Sequence, residues 1–150
     1  MKIGHVFDEM INGYTQKMIR MVPHYQTLIE LMTHSFPHPS AVRNVLELGA
    51  GNGNVSQKAI QKYPQAHFQL VDASEKMIHT LQSTFINRIN IVYDLCLIQD
   101  CSFPVASFDL IIACFSLHHL SDDDKITTFK NVNRWLKPTG CFTYADLFID

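Results

Sequence analysis

Val45-Leu46-Glu47-Leu48-Gly49-Ala50-Gly51-Asn52-Gly53 is the stretch that decides the fold of this chain. A short apolar run ends in an acid, then in three glycines at alternate positions, and a helix-like segment follows. A parallel strand of this kind delivers backbone N–H groups and a helix N-terminus to a bound ligand. Downstream, Leu70-Val71-Asp72-Ala73-Ser74 closes a second apolar run with an acid, 19 residues past Gly53. An acid at that place can accept both hydroxyls of a ribose, so the two stretches together predict a nucleotide-like ligand.

Strand and helix signals alternate on either side of this centre. Val42 to Leu48 reads as strand 1, and Val55, Ala59, Ile60 and Tyr63 recur at helical spacing until Pro64 stops them. His67 to Val71 reads as strand 2, followed by a helix burying Met77, Ile78, Leu81 and Phe85, then by strand 3 over Ile89 to Tyr93. Phe108 to Phe115 is a near-continuous apolar run, as expected of strand 4 buried on both faces. Ser121 caps a helix whose first turn holds Asp122, Asp123 and Asp124, matched to the helix dipole. Its inner stripe is expected from Ile126, Phe129, Val132, Trp135 and Leu136, with Lys137-Pro138-Thr139-Gly140 ending it and Cys141 to Phe148 as strand 5.

Residues 5 to 34 read as a helical prelude broken at Pro23, with Ile19, Val22, Leu28, Ile29, Leu31 and Met32 as apolar faces. The predicted fold is α/β, a Rossmann-like open parallel sheet with helices on both faces. Residues 1–40 form an N-terminal helical cap on a core of residues 41–150, the two making one domain. Ligands in such sheets sit outside the carboxyl ends of the strands, which groups Glu47, Gly49, Asp72, the 114–119 segment and Asp146.

Bulk properties exclude several alternatives. With 47% hydrophobic and 17% charged residues the chain is expected to be globular. A net charge of −2, without a basic stripe interleaved with aromatics, offers no electrostatic case for nucleic acid or an anionic membrane. No apolar run is long enough for a bilayer, and Met1 to Met10 carries Asp8 and Glu9 without an apolar h-region, so a cytoplasmic location is expected. The cysteines form no C-x-x-C pair and are expected to be reduced. Adjacent His118 and His119 on a strand end would point to opposite sides, and no H-x-x-x-H spacing exists, so no metal is expected.

Spacing separates the cofactors. In G-x-G-x-x-G, the dinucleotide fingerprint, the third glycine would fall on Asn54 or Ser56, and neither fits. Glu47-x-Gly49-x-Gly51-x-Gly53 instead resembles motif I of the class I S-adenosylmethionine-dependent methyltransferases. Ser107-Phe108-Asp109-Leu110-Ile111-Ile112 and Leu117-His118-His119-Leu120 resemble the strand-4 region of the small-molecule type, and Trp135-Leu136-Lys137-Pro138-Thr139-Gly140 resembles their turn before strand 5. Phe7-Asp8-Glu9, Tyr14 and Val22-Pro23-His24-Tyr25 resemble the cap of a subset that includes the carboxy-S-adenosylmethionine-dependent tRNA uridine carboxymethyltransferases.

The resemblance implies methyl transfer from S-adenosylmethionine to an unidentified small-molecule acceptor. It also implies roles. Gly49, Ala50, Gly51 and Gly53 form the loop that lets backbone approach the methionine moiety, and Glu47 balances its amino and sulfonium charges. Asp72 takes the ribose, Ala73 and Met77 flank the adenine, and Asp100 and Cys101 read its edge. Cys114 and Phe115 offer a backbone carbonyl to the amino group. His118 is the candidate general base for an acceptor that arrives protonated. Tyr14 is a candidate lid residue.

Two departures leave alternatives open. The family's Gly-Asp-Ala-like element after strand 3 is absent; an ungapped count back from Phe108-Asp109 puts Leu97 or Ile98 at the acid's place, and Asp100-Cys101 fits only with a shortened loop. Strands 6 and 7 of the family core are missing from this chain, which would expose the edge of strand 5 to a second copy as a homodimer. The competing readings are a non-catalytic or truncated S-adenosylmethionine-binding module and an NAD-dependent oxidoreductase.

Overall fold

The computed structural model describes residues 13–147, so Phe7-Asp8-Glu9 lies outside the described residues. Two helices come first, α1 (Tyr14–Met21) and α2 (Tyr25–His34). The alternating core follows as β1 (Asn44–Leu48), α3 (Asn54–Lys62), β2 (His67–Asp72), α4 (Glu75–Thr84), β3 (Ile91–Leu95), β4 (Phe108–Cys114), α5 (Asp122–Trp135) and β5 (Leu136–Ala145). The five strands form one parallel sheet in the order β3-β2-β1-β4-β5. The order in which successive strands are added reverses between β1 and β4. That is the switch point where a crevice opens beyond the strand ends.

Sequence pattern explains the layers. Leu110, Ile111, Ile112 and Ala113 of β4 are fully buried, because helices cover both faces of a central parallel strand. Tyr25, Ile29 and Met32 of α2 share one apolar cluster with Val45, Phe68, Leu70 and Ile112, while Leu46, Leu48, Val71, Ile111 and Trp135 build the cluster on the other face. Ser74 caps α4 by accepting the Met77 N–H at 3.1 Å, and Ser121 caps α5 by accepting the Asp124 N–H at 3.2 Å.

Several expected details differ. The inward stripe of the first two helices is Met18, Val22, Tyr25, Ile29 and Met32, whereas Ile19 and Leu31 face out. β3 runs Ile91–Leu95, two residues later than Ile89 to Tyr93, since its ladder to β2 starts at Ile91 opposite Phe68. On α5 the buried side chains are Thr128, Val132 and Trp135, with Ile126 and Phe129 exposed. The helix stops at Trp135 because Leu136 already pairs with Phe108 in the sheet. Cys141 next pairs with Leu110, so residues 137–140 bulge from the ladder.

The bulge has a mechanical purpose. A Cβ at Gly140 would lie 3.0 Å from both the Lys137 and Phe108 carbonyl oxygens, so a side chain there would crowd this turn. It places Lys137 Nζ 2.8 and 2.9 Å from the two carboxylate oxygens of Asp109. Asp109 also accepts the Arg43 and Asn44 N–H groups, each at 2.9 Å. One carboxylate thereby ties the start of β1, β4 and β5 together. Burial opposes its ionisation, but the Lys137 ammonium and the two N–H donors hold its carboxyl below the usual range.

Candidate cofactor site

An open cleft of about 650 Å³ lies beyond the ends of β1, β2 and β4. Gly49, Gly51, Asp72, Ala73, Met77, Cys114 and Phe115, seven of the residues expected to hold cofactor, line it. A smaller, half-open recess shares Gly49, Gly51 and Cys114 with the cleft and adds Glu47 and Ala50. Gly53, Asp100, Cys101 and His118 line neither of these two spaces. Tyr14 lines both.

The glycine loop turns on left-handed backbone. Gly49 has φ +74°, and a Cβ there would sit 2.4 Å from the Ser116 Cβ. Gly51 has φ +57° and faces open space, its nearest prospective contact being Tyr14 Cε1 at 3.9 Å. A loop that tight, with room above it, is a cradle for a ligand that approaches backbone closely. Gly53 works differently. Its missing side chain makes room for Leu81 Cδ2 at 3.0 Å and the Phe85 ring, so it seats α3 against α4.

Asp72 at the tip of β2 locks that loop. Its Oδ2 accepts the Gly51 N–H at 2.8 Å and its Oδ1 accepts the Ser74 N–H at 2.9 Å. These two backbone bonds orient the carboxylate, which has about four acceptor positions. Glu47 is buried at the tip of β1, where its Oε2 accepts the Ser56 hydroxyl at 2.6 Å. Burial pushes its carboxyl up to about 8; the Ser56 bond pulls against that, and the nearby Asp72 charge adds to it.

The first two helices are pinned to the same loop. Asn52 donates to the Thr15 hydroxyl at 2.8 Å, and Asn54 donates to the Tyr25 hydroxyl at 3.1 Å. The Tyr25 ring meets Phe115 at 5.4 Å between centroids. Phe115 itself has φ +51°, a strained setting for a bulky residue, and its N–H reaches the Ala145 carbonyl at 2.8 Å. Burial raises the Tyr14 hydroxyl, with Tyr25, Asp72 and Cys114 reinforcing it, and burial raises the Cys114 thiol too, so neither is a ready base.

Past β4 the chain makes a short 3₁₀ turn, Leu117–His119, so the two histidines are not on a strand. Their rings therefore lie together, 3.9 Å between centroids, and do not diverge as alternation along a strand would require. His118 Nδ1 sits 2.5 Å from Asp146 Oδ1, while Asp146 Oδ2 accepts the Leu117 and His118 N–H groups at 2.6 and 3.2 Å. His119 lines the cleft. Burial and the adjacent His118 hold its imidazole below the ordinary value, against the opposing pull of Asp146.

Sequence reasoning missed Gln99 and Leu120 as cleft residues, and reached Ser116 and His119 only as part of the 114–119 segment, without a role for either. Ser116 donates to the Leu48 carbonyl at 2.8 Å, a contact between positions 68 apart that no local pattern announces. Leu97 and Ile98 also line the cleft, where the ungapped count back from Phe108 had placed the adenine-facing position. That count was the available signal.

A glycine cradle, an oriented carboxylate at β2, an apolar wall of Met77, Leu97 and Ile98, and a second carboxylate one strand away define a nucleoside-binding α/β protein. Residues 45–140 match the methyltransferase domain family, and the chain belongs to that family. The groups present fit the ribose, the apolar-faced base and the cationic end of S-adenosylmethionine. A methyltransferase of unassigned substrate from Bacillus thuringiensis is 26% identical over 98% of this chain and 65% of its own length. A Chlamydia muridarum demethylmenaquinone methyltransferase is 35% identical over 65% of this chain and 41% of its own. Among solved structures, a chain from the Haloferax volcanii complex of the Trm112 methyltransferase activator with a methyltransferase superposes with a TM-score of 0.79. It is 18% identical and covers 93% of this chain and 59% of that one. The chain thus spans about two thirds or less of the length of these relatives.

Proposed function

We propose that this chain is the catalytic core of an S-adenosylmethionine-dependent methyltransferase acting on a small-molecule acceptor. The observation that carries the reading is Asp72, bridged to Gly51 and Ser74 at the floor of the cleft. The bound cofactor supplies a methyl group already activated on a sulfonium. The chain's own work is then to orient, to balance charge and to exclude water. Asp72 is assigned the ribose hydroxyls through charge-assisted bonds, and Gly49, Ala50 and Gly51 the methionine end. Glu47 faces the cationic groups from the smaller recess. Met77 and Ala73 take one side of the adenine, with Leu97 and Ile98 in place of Asp100 and Cys101 on the other.

For an acceptor that arrives protonated, His119 is the base placed at the cleft, because its ring lines the space and is held neutral. His118 stands behind it, its Nδ1 held by Asp146. Residues 1–40 act as a cap belonging to the same domain as 41–150, a division supported by Tyr14 over the loop and by Tyr25 in the core cluster. Among the described residues no helix is long and apolar enough to cross a membrane, and the four free cysteines support a reducing, cytoplasmic setting. Pairing of two copies along β5 belongs to the same proposal, supported by an edge that, among the described residues, is bonded only to β4.

The test is calorimetric titration with S-adenosylhomocysteine, beside an Asp72→Asn variant whose fold is checked by circular dichroism. Micromolar binding, weakened at least tenfold in the variant, is the expected result, since a charge-assisted bond to ribose contributes about 1.5–3 kcal/mol. Methyl transfer from labelled cofactor to a panel of amines and quinols then looks for the acceptor class. A folded chain that binds neither S-adenosylhomocysteine nor S-adenosylmethionine would overturn the reading; binding without transfer to any acceptor would favour a non-catalytic module.

A further inference from the structure

The wall of the cleft between β3 and β4 is bracketed by two thiols. Cys96 follows the last residue of β3, and its N–H donates to the Asp72 carbonyl at 3.0 Å. Leu97, Ile98 and Gln99 come next and line the cleft. Cys101 closes the turn, buried against Leu46, Leu48 and Val71. Both sulfurs reach the same acceptor: Cys96 Sγ and Cys101 Sγ each lie 3.3 Å from the Leu97 carbonyl oxygen. That shared oxygen confines the two sulfurs to within twice that distance of each other. The Asp100 N–H bonds the same carbonyl at 3.0 Å, so the segment is a compact loop with its ends together.

We propose that Cys96 and Cys101 form a reversible disulfide that reshapes the Leu97–Gln99 wall, making cofactor binding responsive to thiol oxidants. The regulatory half rests on the reading that this cleft holds S-adenosylmethionine; the disulfide does not. An S–S bond of ~2.05 Å draws both sulfurs off the Leu97 carbonyl, which loosens the turn carrying the apolar wall. Reversible pairing of this kind is the usual role of disulfides in reducing compartments.

The oxidant is a small disulfide such as oxidised glutathione. The partly exposed Cys96, as thiolate, attacks one glutathione sulfur and releases the first glutathione as thiolate, which takes up a proton. The Cys101 thiol gives its proton to solvent, and its sulfur attacks Cys96 Sγ, releasing the second glutathione. The protein loses two hydrogens and the glutathione disulfide gains them.

The experiment equilibrates the chain in glutathione buffers of increasing oxidised fraction, blocks free thiols and cleaves before Asp100, which separates Cys96 from Cys101. The expected product is lighter by about 2 Da, with the two peptides joined. Affinity for S-adenosylhomocysteine falls at least tenfold on oxidation and returns with dithiothreitol, while a Cys96→Ser variant binds equally in both buffers. Four blockable cysteines under oxidising conditions, glutathione adducts without the joined peptide, or a joined peptide with unchanged affinity would each overturn the proposal. If the reduced chain fails to bind S-adenosylhomocysteine, the cofactor reading and the regulatory half fall, while the joined peptide still decides the disulfide.

Discussion

Replacing Glu47 by glutamine should stabilise the ligand-free protein increasingly as pH rises from 5 to 8. Glu47 is 2% exposed, keeps a bond from the Ser56 hydroxyl, and has its carboxyl raised from 4.5 to about 8, first by burial and then by Asp72. Because the folded value is raised, the stability linked to this group is fully present below the unfolded value. It is lost as pH climbs through the folded one. Between the two the unfolded chain releases its proton while the folded chain keeps it, so stability falls by ~1.4 kcal/mol per pH unit. Across the window the ceiling is on the order of 5 kcal/mol, reduced by structural relaxation and water entry. Even a third of that would separate the melting points of the two proteins by several degrees at pH 8.

The assay is urea unfolding of wild type and Glu47→Gln at pH 5, 6.5 and 8. Other groups titrate alike in both proteins, so the difference between the two curves isolates this carboxyl. The difference should be near zero at pH 5 and largest at pH 8, with glutamine still accepting the Ser56 hydroxyl. A flat difference across that window would refute the buried-acid argument. The variant should also bind S-adenosylmethionine more weakly, and wild-type binding below pH 8 should release a proton, read by calorimetry in buffers of differing ionisation heat. A cation placed beside a neutral buried acid draws it into the charged form.

Other substitutions separate the site from its scaffold. Gly53→Ala should cost about 1–3 kcal/mol, from positive φ and the contact with Leu81, yet leave the S-adenosylhomocysteine affinity of the folded protein near wild type. Gly51→Ala, facing open space in the cleft, should instead weaken binding; equal losses of affinity in the two variants would remove the distinction. Asp109→Asn should lower stability at neutral pH by about 1–3 kcal/mol as Lys137 loses its partner. Asp109 has a depressed folded value, so its contribution is present above the unfolded value, about 3.8, and lost as pH falls through the folded one. The gap between variant and wild type should therefore close in acid, checked by melting at pH 7 and pH 3.

What was legible in the sequence is what local period and strand-end chemistry encode. Leu110 to Ala113 reads as buried on both faces because a central parallel strand leaves no polar side, and Glu47 and Asp72 stand out because an acid ending an apolar run needs a reason. Facing was less legible where tertiary partners choose. Ile126 and Phe129 fit a helical stripe, but Phe129 turns outward to meet Phe142 and Tyr144 at 5.9 and 6.0 Å. His119 was placed at the ligand end with the 114–119 segment but passed over for His118 for a different reason: a 3₁₀ turn rotates successive side chains unlike a strand, so reading 118 and 119 as strand residues misassigns their facing. Asp100 looked like the adenine-facing acid by type, yet Leu97, Ile98 and Gln99 reach the cleft, because the turn folds Cys101 back into the core.

The two carboxylates at adjacent strand tips have been given opposite surroundings. Asp72 receives two backbone N–H groups, which fix its direction toward the cleft. Glu47 receives one hydroxyl, in a recess walled by Tyr14, Tyr25 and Cys114, whose own acids are suppressed by the same burial. Among the described residues that line this space none is cationic, and burial holds the Glu47 carboxyl up at about 8, so a cationic ligand beside it favours ionisation. The methionine end of S-adenosylmethionine brings two such positive groups, whereas its demethylated product keeps only one. On the proposed assignment Glu47 discriminates substrate from product by charge, and Glu47→Gln should narrow the ratio of their dissociation constants. If calorimetry at pH 7 finds that ratio unchanged in the variant, the discrimination lies elsewhere in the cleft.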